Sequence, residues 1–353
     1  MATLARAANL IAIYINAGIP VFVWGKPGEG KSTVIKMIGK ALKYDYLIDK
    51  RASQMDQLDM IGIPSAVDGR TVYNPPVWLP TESTHGGRRG LMLWDELNAS
   101  NSGVQVTLYQ WILDGETGGV KAPQGLRNIA AGNYQSDRAA ANRLSSALAN
   151  RFAYVDMAKD VESWSLWAEG KEQDAMREDC LTFVPNVGIP AELIAFHKWC
   201  EKRGVNMLHN MESKNGAELR AFPTPRSWAS VAKILNAPQD LLRDLIAGLV
   251  GEVAAGELMA FLPIWRDLPS LPSIFANPDS AMVPHDVSLK YALASAIGRG
   301  MDHRTIGAAI HYLGRLSPSF QAMAINQAIE RDSSLKVTPQ YVQWAIANQS
   351  MAI

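Results

Sequence analysis

The chain has 353 residues, 48% of them hydrophobic and 19% charged, with Lys+Arg and Asp+Glu balanced at 34 each. That length suits two or three compact units with a sizeable core, and the balance gives no sign of disorder or of a general polyanion-binding surface, although a local basic pore stays open. The two cysteines, Cys180 and Cys200, have neither C-x-x-C spacing nor a histidine cluster beside them, so they read as buried or idle thiols in a reducing compartment.

Leu4 to Ile15 is apolar, but Asn9 and Asn16 interrupt it and no small-residue cleavage site follows. A helix packed on the domain is expected there rather than a signal peptide. No run reaches the roughly 18 apolar residues of a membrane span, so the expectation is a cytoplasmic protein with no membrane partner. Pro20 to Trp24 is a short apolar run suited to a buried parallel strand, and Ser32 to Leu42 reads as a helix. Between them Gly25-Lys26-Pro27-Gly28-Glu29-Gly30-Lys31-Ser32 fits G-x-x-x-x-G-K-[ST]. In such a loop glycines let backbone N–H groups curl round a phosphate while the helix presents its positive end. Lys31 then neutralises the β- and γ-phosphates, and Ser32 holds Mg²⁺ through its hydroxyl.

Tyr44 to Ile48 is expected to be a second strand. Ile61 to Pro80 is rich in Gly and Pro, with Asp68-Gly69 as a turn signal between short extended runs. This predicts a hairpin-like insertion, which either carries partner contacts or is a plain surface hairpin. Leu91 to Trp94 is a third buried strand ending on Asp95-Glu96. Carboxylates at the carboxyl end of a buried strand suit a cation and a proton, so Asp95 is expected to hold Mg²⁺ through water and Glu96 to deprotonate the attacking water.

Gly103 to Leu113 makes a helix, a turn-rich excursion covers 114–127, and Asn128 to Asn133 is the fourth strand. Asn133 could fix the water between Glu96 and the γ-phosphate, or be an ordinary turn former. A helix from about Ala139 to Ala149 leads to Asn150-Arg151-Phe152 and a fifth strand ending at Asp156. Helical signals then replace strand signals: Val161 to Trp167, Ala191 to Lys202, Arg226 to Leu235 and a single long segment from Gln239 to Leu262. A proline-rich stretch over 263–285 marks a boundary. Four further helices follow, near Val287–Gly298, Thr305–Arg315, Ser317–Arg331 and Pro339–Asn348. The expected fold is α/β: a five-stranded parallel sheet over residues 1–158, an all-helical lid over 159–265 and a helical extension over 266–353. Trp164, Trp167, Trp199 and Trp228 lie within helical stretches and are expected in cores.

The order of loop, Asp-Glu strand end, Asn strand end and helix-terminal Arg, with Pro225-Arg226 opening a later helix, resembles the AAA+ ATPases. Within them the chain is similar to the MoxR group, which includes the CbbQ, NorQ and RavA types. Gly25 to Ser32 matches their Walker A motif, with Thr33 completing the expected ATP-binding set, and Leu91 to Glu96 matches Walker B, Asp95-Glu96-Leu97-Asn98 being close to their D-E-I-N. Asn133 falls at sensor 1, Arg151 at the arginine finger and Arg226 at sensor 2, while the insertions near 61–80 and 114–127 sit where the group has its own. Arg143 lies shortly before Arg151 and is the other candidate finger. The resemblance covers residues 1–265 and implies ATP and Mg²⁺ as cofactors. It also implies a hexameric ring in which hydrolysis rotates the lid through Arg226, and a protein client reached through an adaptor with a von Willebrand factor A domain. The alternative is a nucleic-acid translocase or loader with Arg88, Arg89 and Lys121 lining a basic pore. A small-molecule kinase is disfavoured, since kinases need no sensor-2 arginine or finger.

Overall fold

The computed structural model describes residues 2–134, 144–158, 160–210 and 220–349. Among these, the strands are β1 (Val21–Trp24), β2 (Tyr46–Arg51), β3 (Ile63–Val67), β4 (Arg70–Asn74), β5 (Gly90–Asp95), β6 (Glu116–Thr117), β7 (Val120–Lys121), β8 (Leu126–Gly132) and β9 (Ala153–Asp156). The first helices are α1 (Leu4–Asn16), α2 (Lys31–Ala41), α3 (Leu58–Ile61), α4 (Glu82–His85), α5 (Ser102–Asp114), α6 (Ser146–Ala149), α7 (Val161–Ala168) and α8 (Glu178–Leu181). They are followed by α9 (Ala191–Lys202), α10 (Pro225–Ile234), α11 (Gln239–Val250), α12 (Glu252–Arg266), α13 (Leu271–Ala276), α14 (Val287–Gly300), α15 (Ile306–Leu313), α16 (Pro318–Arg331) and α17 (Pro339–Ala347).

Five parallel strands form one sheet in the order β2, β5, β8, β1, β9, so β8 is central and β1 lies inside the sheet between two strands that come from later in the chain. This is the α/β core expected for a P-loop ATPase, followed by helical regions. Alternation along β5 explains how both faces are covered. Leu91 packs on α2, close enough that a Cβ on Gly39 would touch it at 3.0 Å. Met92 and Trp94 instead join Phe22, Trp24, Val104, Leu108 and Trp111 in a buried cluster under α5. Phe22 and Trp24 stack at 4.5 Å between ring centroids within it. The insertion is the expected hairpin, β3 pairing antiparallel with β4 around Asp68 (φ 49°) and Gly69 (φ 72°), the left-handed pair a two-residue turn requires.

The chain forms two compact units, residues 1–187 with 209–255 and residues 188–208 with 256–353. These divisions differ from the expected boundaries at 158 and 265. Residues expected in a separate lid belong to the sheet's own unit because buried groups tie them to α1. Tyr14 donates to the Leu245 carbonyl at 2.5 Å, and Asn16 donates to the carbonyls of Cys180 and Leu181. The single helix expected over Gln239–Leu262 is two helices. Gly251 has φ 83°, ends α11, and comes so near the Ala221 carbonyl that a Cβ would meet it at 3.0 Å. The proline-rich stretch does not end a helix at its start, since α12 continues through Pro263 to Arg266 and α13 lies inside the stretch.

In the second unit Phe196 packs on Phe261, and Trp199 and Trp265 also meet the Phe261 ring. His197 lies beside this group, and burial lowers its pKa to about 4. The unfolded chain therefore binds a proton below the ordinary histidine pKa, near 6.5, that the folded unit refuses, and stability falls as pH drops from there towards 4. Urea melts across that window should show the loss, and His197→Gln should flatten it. An unchanged slope in the variant would refute the assignment. Cys180 and Cys200 are both buried, as expected, and burial raises the Cys200 thiol to about 11.

Candidate functional site

The sheet fixes both ends of the glycine-rich loop. β1 ends at Trp24, α2 begins at Lys31, and between them Gly28 and Gly30 have φ of 77° and 81°. A side chain in that left-handed region costs roughly 1–2 kcal/mol. Gly30 is the N-cap of α2, so the amides of the first turn and the positive helix end face the loop. The Glu29 carboxylate folds back to accept from the Lys26 amide at 2.7 Å.

Lys31 is buried and its ammonium group donates to the Gly25 carbonyl at 2.8 Å, to the Lys26 carbonyl at 3.0 Å and to Asn133 Oδ1 at 2.7 Å. Ser32 Oγ donates to Asp95 Oδ2 at 2.7 Å. Residues distant in sequence thus converge at the carboxyl edge of β1, β5 and β8, as the motif order required. Asp95 Oδ1 also accepts from the Glu96 amide at 3.0 Å. Glu96 has φ 55° and ψ 34°, one of three non-glycine residues at positive φ among those described. Such backbone costs of order 1–3 kcal/mol and persists where its surroundings over-determine it. One such constraint is Ser53, whose hydroxyl donates to Glu96 Oε2 at 2.5 Å.

The sequence did not single out Ser53, and it gave Asn98 no role beyond the motif. Asn98 is buried, and its amide donates to the Asn133 carbonyl at 2.8 Å, holding the end of β8. A third addition is Arg220, which forms an ion pair with Asp156 at 3.1 Å and lies over the Trp24 ring at 4.3 Å, at the edge from which the loop departs. Tyr134 donates to the same Asp156 at 2.8 Å, and burial together with that carboxylate pushes its phenol pKa well up, so it remains a neutral donor. No pattern in one sequence marks these partners, because each is defined by a contact across the fold.

Two expected site residues lie elsewhere. β9 runs parallel to β1, with Ala153 opposite Val21 and Asp156 opposite Trp24. Arg151 precedes β9 and so sits at the amino edge of the sheet, about 20 Å along the strands from the start of the loop at roughly 3.3 Å per residue. Arg226 is with it. The N-cap of α10, Thr224, donates to Asn150 at 2.9 Å, and the Arg226 charge is felt at Arg151, whose pKa is lowered by burial and then by that guanidinium. The docking of α10 on the turn before β9 thus places Arg226, expected at sensor 2, at the edge opposite the loop. Arg226 is exposed, while Arg151 is only 8% exposed, with its guanidinium 3.6 Å from the Tyr109 ring centre and Nη1 donating to the Ala147 carbonyl at 2.6 Å. Among the described residues its Nε has no hydrogen-bond partner. Arg143 lies outside the described residues.

A cleft of about 660 Å³ opens from the loop, with Gly28, Glu29, Gly30 and Thr33 on one side. Across it stand Leu4, Val161, Trp164 and Trp167. The expectation that these tryptophans are core is corrected for Trp164 and Trp167, which are 63% and 53% exposed, whereas Trp228 is buried. Both line the cleft.

No family model and no curated protein matches the chain. Among solved structures, one described as a "putative ATPase" from Cytophaga hutchinsonii is similar to it at 14% identity and a TM-score of 0.45, covering 74% of this chain and 88% of that one. A TM-score at that level carries no argument about activity. No helix among the described residues is long and apolar enough to cross a membrane.

Proposed function

We propose that the chain is a Mg²⁺-dependent ATP hydrolase that works as a homo-oligomeric ring, hexameric in line with the MoxR resemblance, and remodels a protein client through an adaptor with a von Willebrand factor A domain. The observation that carries the hydrolase is the convergence of Lys31, Ser32, Asp95 and Asn133 on the glycine loop, with Glu96 held one residue beyond. Position supports the ring: Arg151 and Arg226 stand together at the other edge of the same sheet, where a second copy would bring its phosphates within their reach.

Lys31 already points its donors into the loop and exchanges carbonyl partners for β- and γ-phosphate oxygens. Ser32 and Asp95 offer adjacent hard oxygen donors, which suit Mg²⁺, and the bound ion would neutralise phosphate charge. Glu96 accepts a proton from the attacking water as the water oxygen bonds to the γ-phosphorus and the bond from that phosphorus to the β–γ bridging oxygen breaks, ADP leaving with the bridging oxygen, once the Ser53 contact yields. Asn133, tied to Lys31 and braced by Asn98, orients that water. Arg151 and Arg226 of the neighbour stabilise the transition-state charge.

The purified chain should hydrolyse ATP only with a divalent cation, assemble into a ring in its presence, and show the same rate with and without DNA or RNA. Stimulation by either nucleic acid would move the reading to a translocase or loader. In that case Lys121 and Arg88 and Arg89, which now lie against Tyr46 and Tyr44, become the residues to substitute.

A further inference from the structure

The cleft beside the glycine loop has an unusual wall. Trp164 and Trp167 are three residues apart on α7 and so share one helical face, yet both leave more than half their surface in water. Val161 on the same turn and Leu4 at the start of α1 extend that apolar surface. An exposed, contiguous apolar patch of this kind marks a binding surface more often than idle exterior.

The polar groups of the wall are engaged with one another. Asp160 caps α7 by accepting from the Ser163 amide at 2.7 Å and from the Ser163 hydroxyl at 2.6 Å. It also accepts from the Leu4 amide at 3.3 Å, which ties the start of α1 to the start of α7 and fixes the width of the cleft. Burial opposes ionisation of Asp160, but these hydrogen bonds outweigh it and hold its carboxyl below the usual range. What remains for a ligand is the flat face of an indole and aliphatic carbon. That surface suits a planar π-system and disfavours a phosphate.

The occupant is set by continuity. Gly28, Glu29, Gly30 and Thr33 belong at once to the phosphate loop and to this cleft, so a nucleotide with its phosphates on the loop has its other end here. The volume, about 660 Å³, lies in the range of small-ligand sites. We propose that Trp164 and Trp167 form the nucleobase subsite, holding the base of the bound nucleoside triphosphate by stacking. This rests on the nucleotide-hydrolase reading above and adds which residues take the base and by what force.

Stacking of one base on an aromatic side chain is lost on truncation with about a 5- to 150-fold weakening of binding. The test is titration calorimetry of Mg-ATP and of Mg-tripolyphosphate, which has the phosphates and no base, against the wild-type chain and the Trp164→Leu/Trp167→Leu double variant. The double variant should weaken ATP within that range while leaving tripolyphosphate unchanged. The corresponding double Phe variant, which keeps a ring at each position, should recover most of the loss. In turnover the Leu variants should raise KM and spare kcat, because a base contact is the same in ground and transition states. Unchanged ATP affinity in the double Leu variant overturns the proposal, and so does an equal loss for ATP and tripolyphosphate, which would mean a disturbed loop. If the wild-type chain binds neither compound, the nucleotide reading itself fails; if it binds both equally well, only the base subsite does.

Discussion

Arg151→Ala is expected to keep ATP binding and lose hydrolysis by about 10³- to 10⁵-fold, the range an arginine finger contributes where it has been measured. The physical reason is that a finger meets charge that develops only in the transition state, so its removal falls on kcat and spares ground-state affinity. In the proposed ring the effect is intermolecular. With β9 and β1 parallel and in register, Arg151 lies beyond the amino ends of the strands whose carboxyl ends bear the loop. Mixing separates the roles. A Lys31→Ala subunit loses its own phosphate contacts but still donates a good arginine, whereas an Arg151→Ala subunit keeps a good site and donates none. Mixed rings of these two inactive proteins should regain activity at the junctions where the first lends to the second. Arg226→Ala should behave as Arg151→Ala does, rescued by Lys31→Ala and not by Arg151→Ala, because α10 carries it to the same edge. Normal hydrolysis by Arg151→Ala, or rescue by Arg143→Ala partners with none by Arg151→Ala, would transfer the role to Arg143.

Glu96→Gln is expected to bind ATP normally and to slow hydrolysis by about 10²- to 10⁴-fold, the contribution of a positioned general base. The amide keeps the size and the left-handed backbone of Glu96 and removes only the proton acceptor, so ATP-bound rings should accumulate and be isolable by size-exclusion chromatography. Lys31→Ala should differ in kind, failing at binding itself. Wild-type turnover by Glu96→Gln would leave this carboxylate without a catalytic role.

The sequence by itself determined which runs become the strands of the sheet and where the glycine loop lies between them. Four-residue apolar runs such as Val21–Trp24 have few ways to be buried except as parallel strands, and glycines at 28 and 30 permit a left-handed turn that few residues tolerate. The Asp-Glu ending of β5 was equally legible, because acids at the end of an otherwise apolar run require a reason. These are local facts, and local sterics and solvation settle them. Contacts between distant segments were settled by packing alone. That Arg226 joins Arg151 rather than the loop depends on where α10 docks. That Trp164 and Trp167 face a cleft depends on how Asp160 ties α7 to α1, since a tryptophan at helical spacing reads the same whether its face meets a core or water. Ser53, Asn98 and Arg220 became site residues for the same reason: a single serine, asparagine or arginine has no periodicity, and only the tertiary structure brings its hydrogen bond to the group it serves.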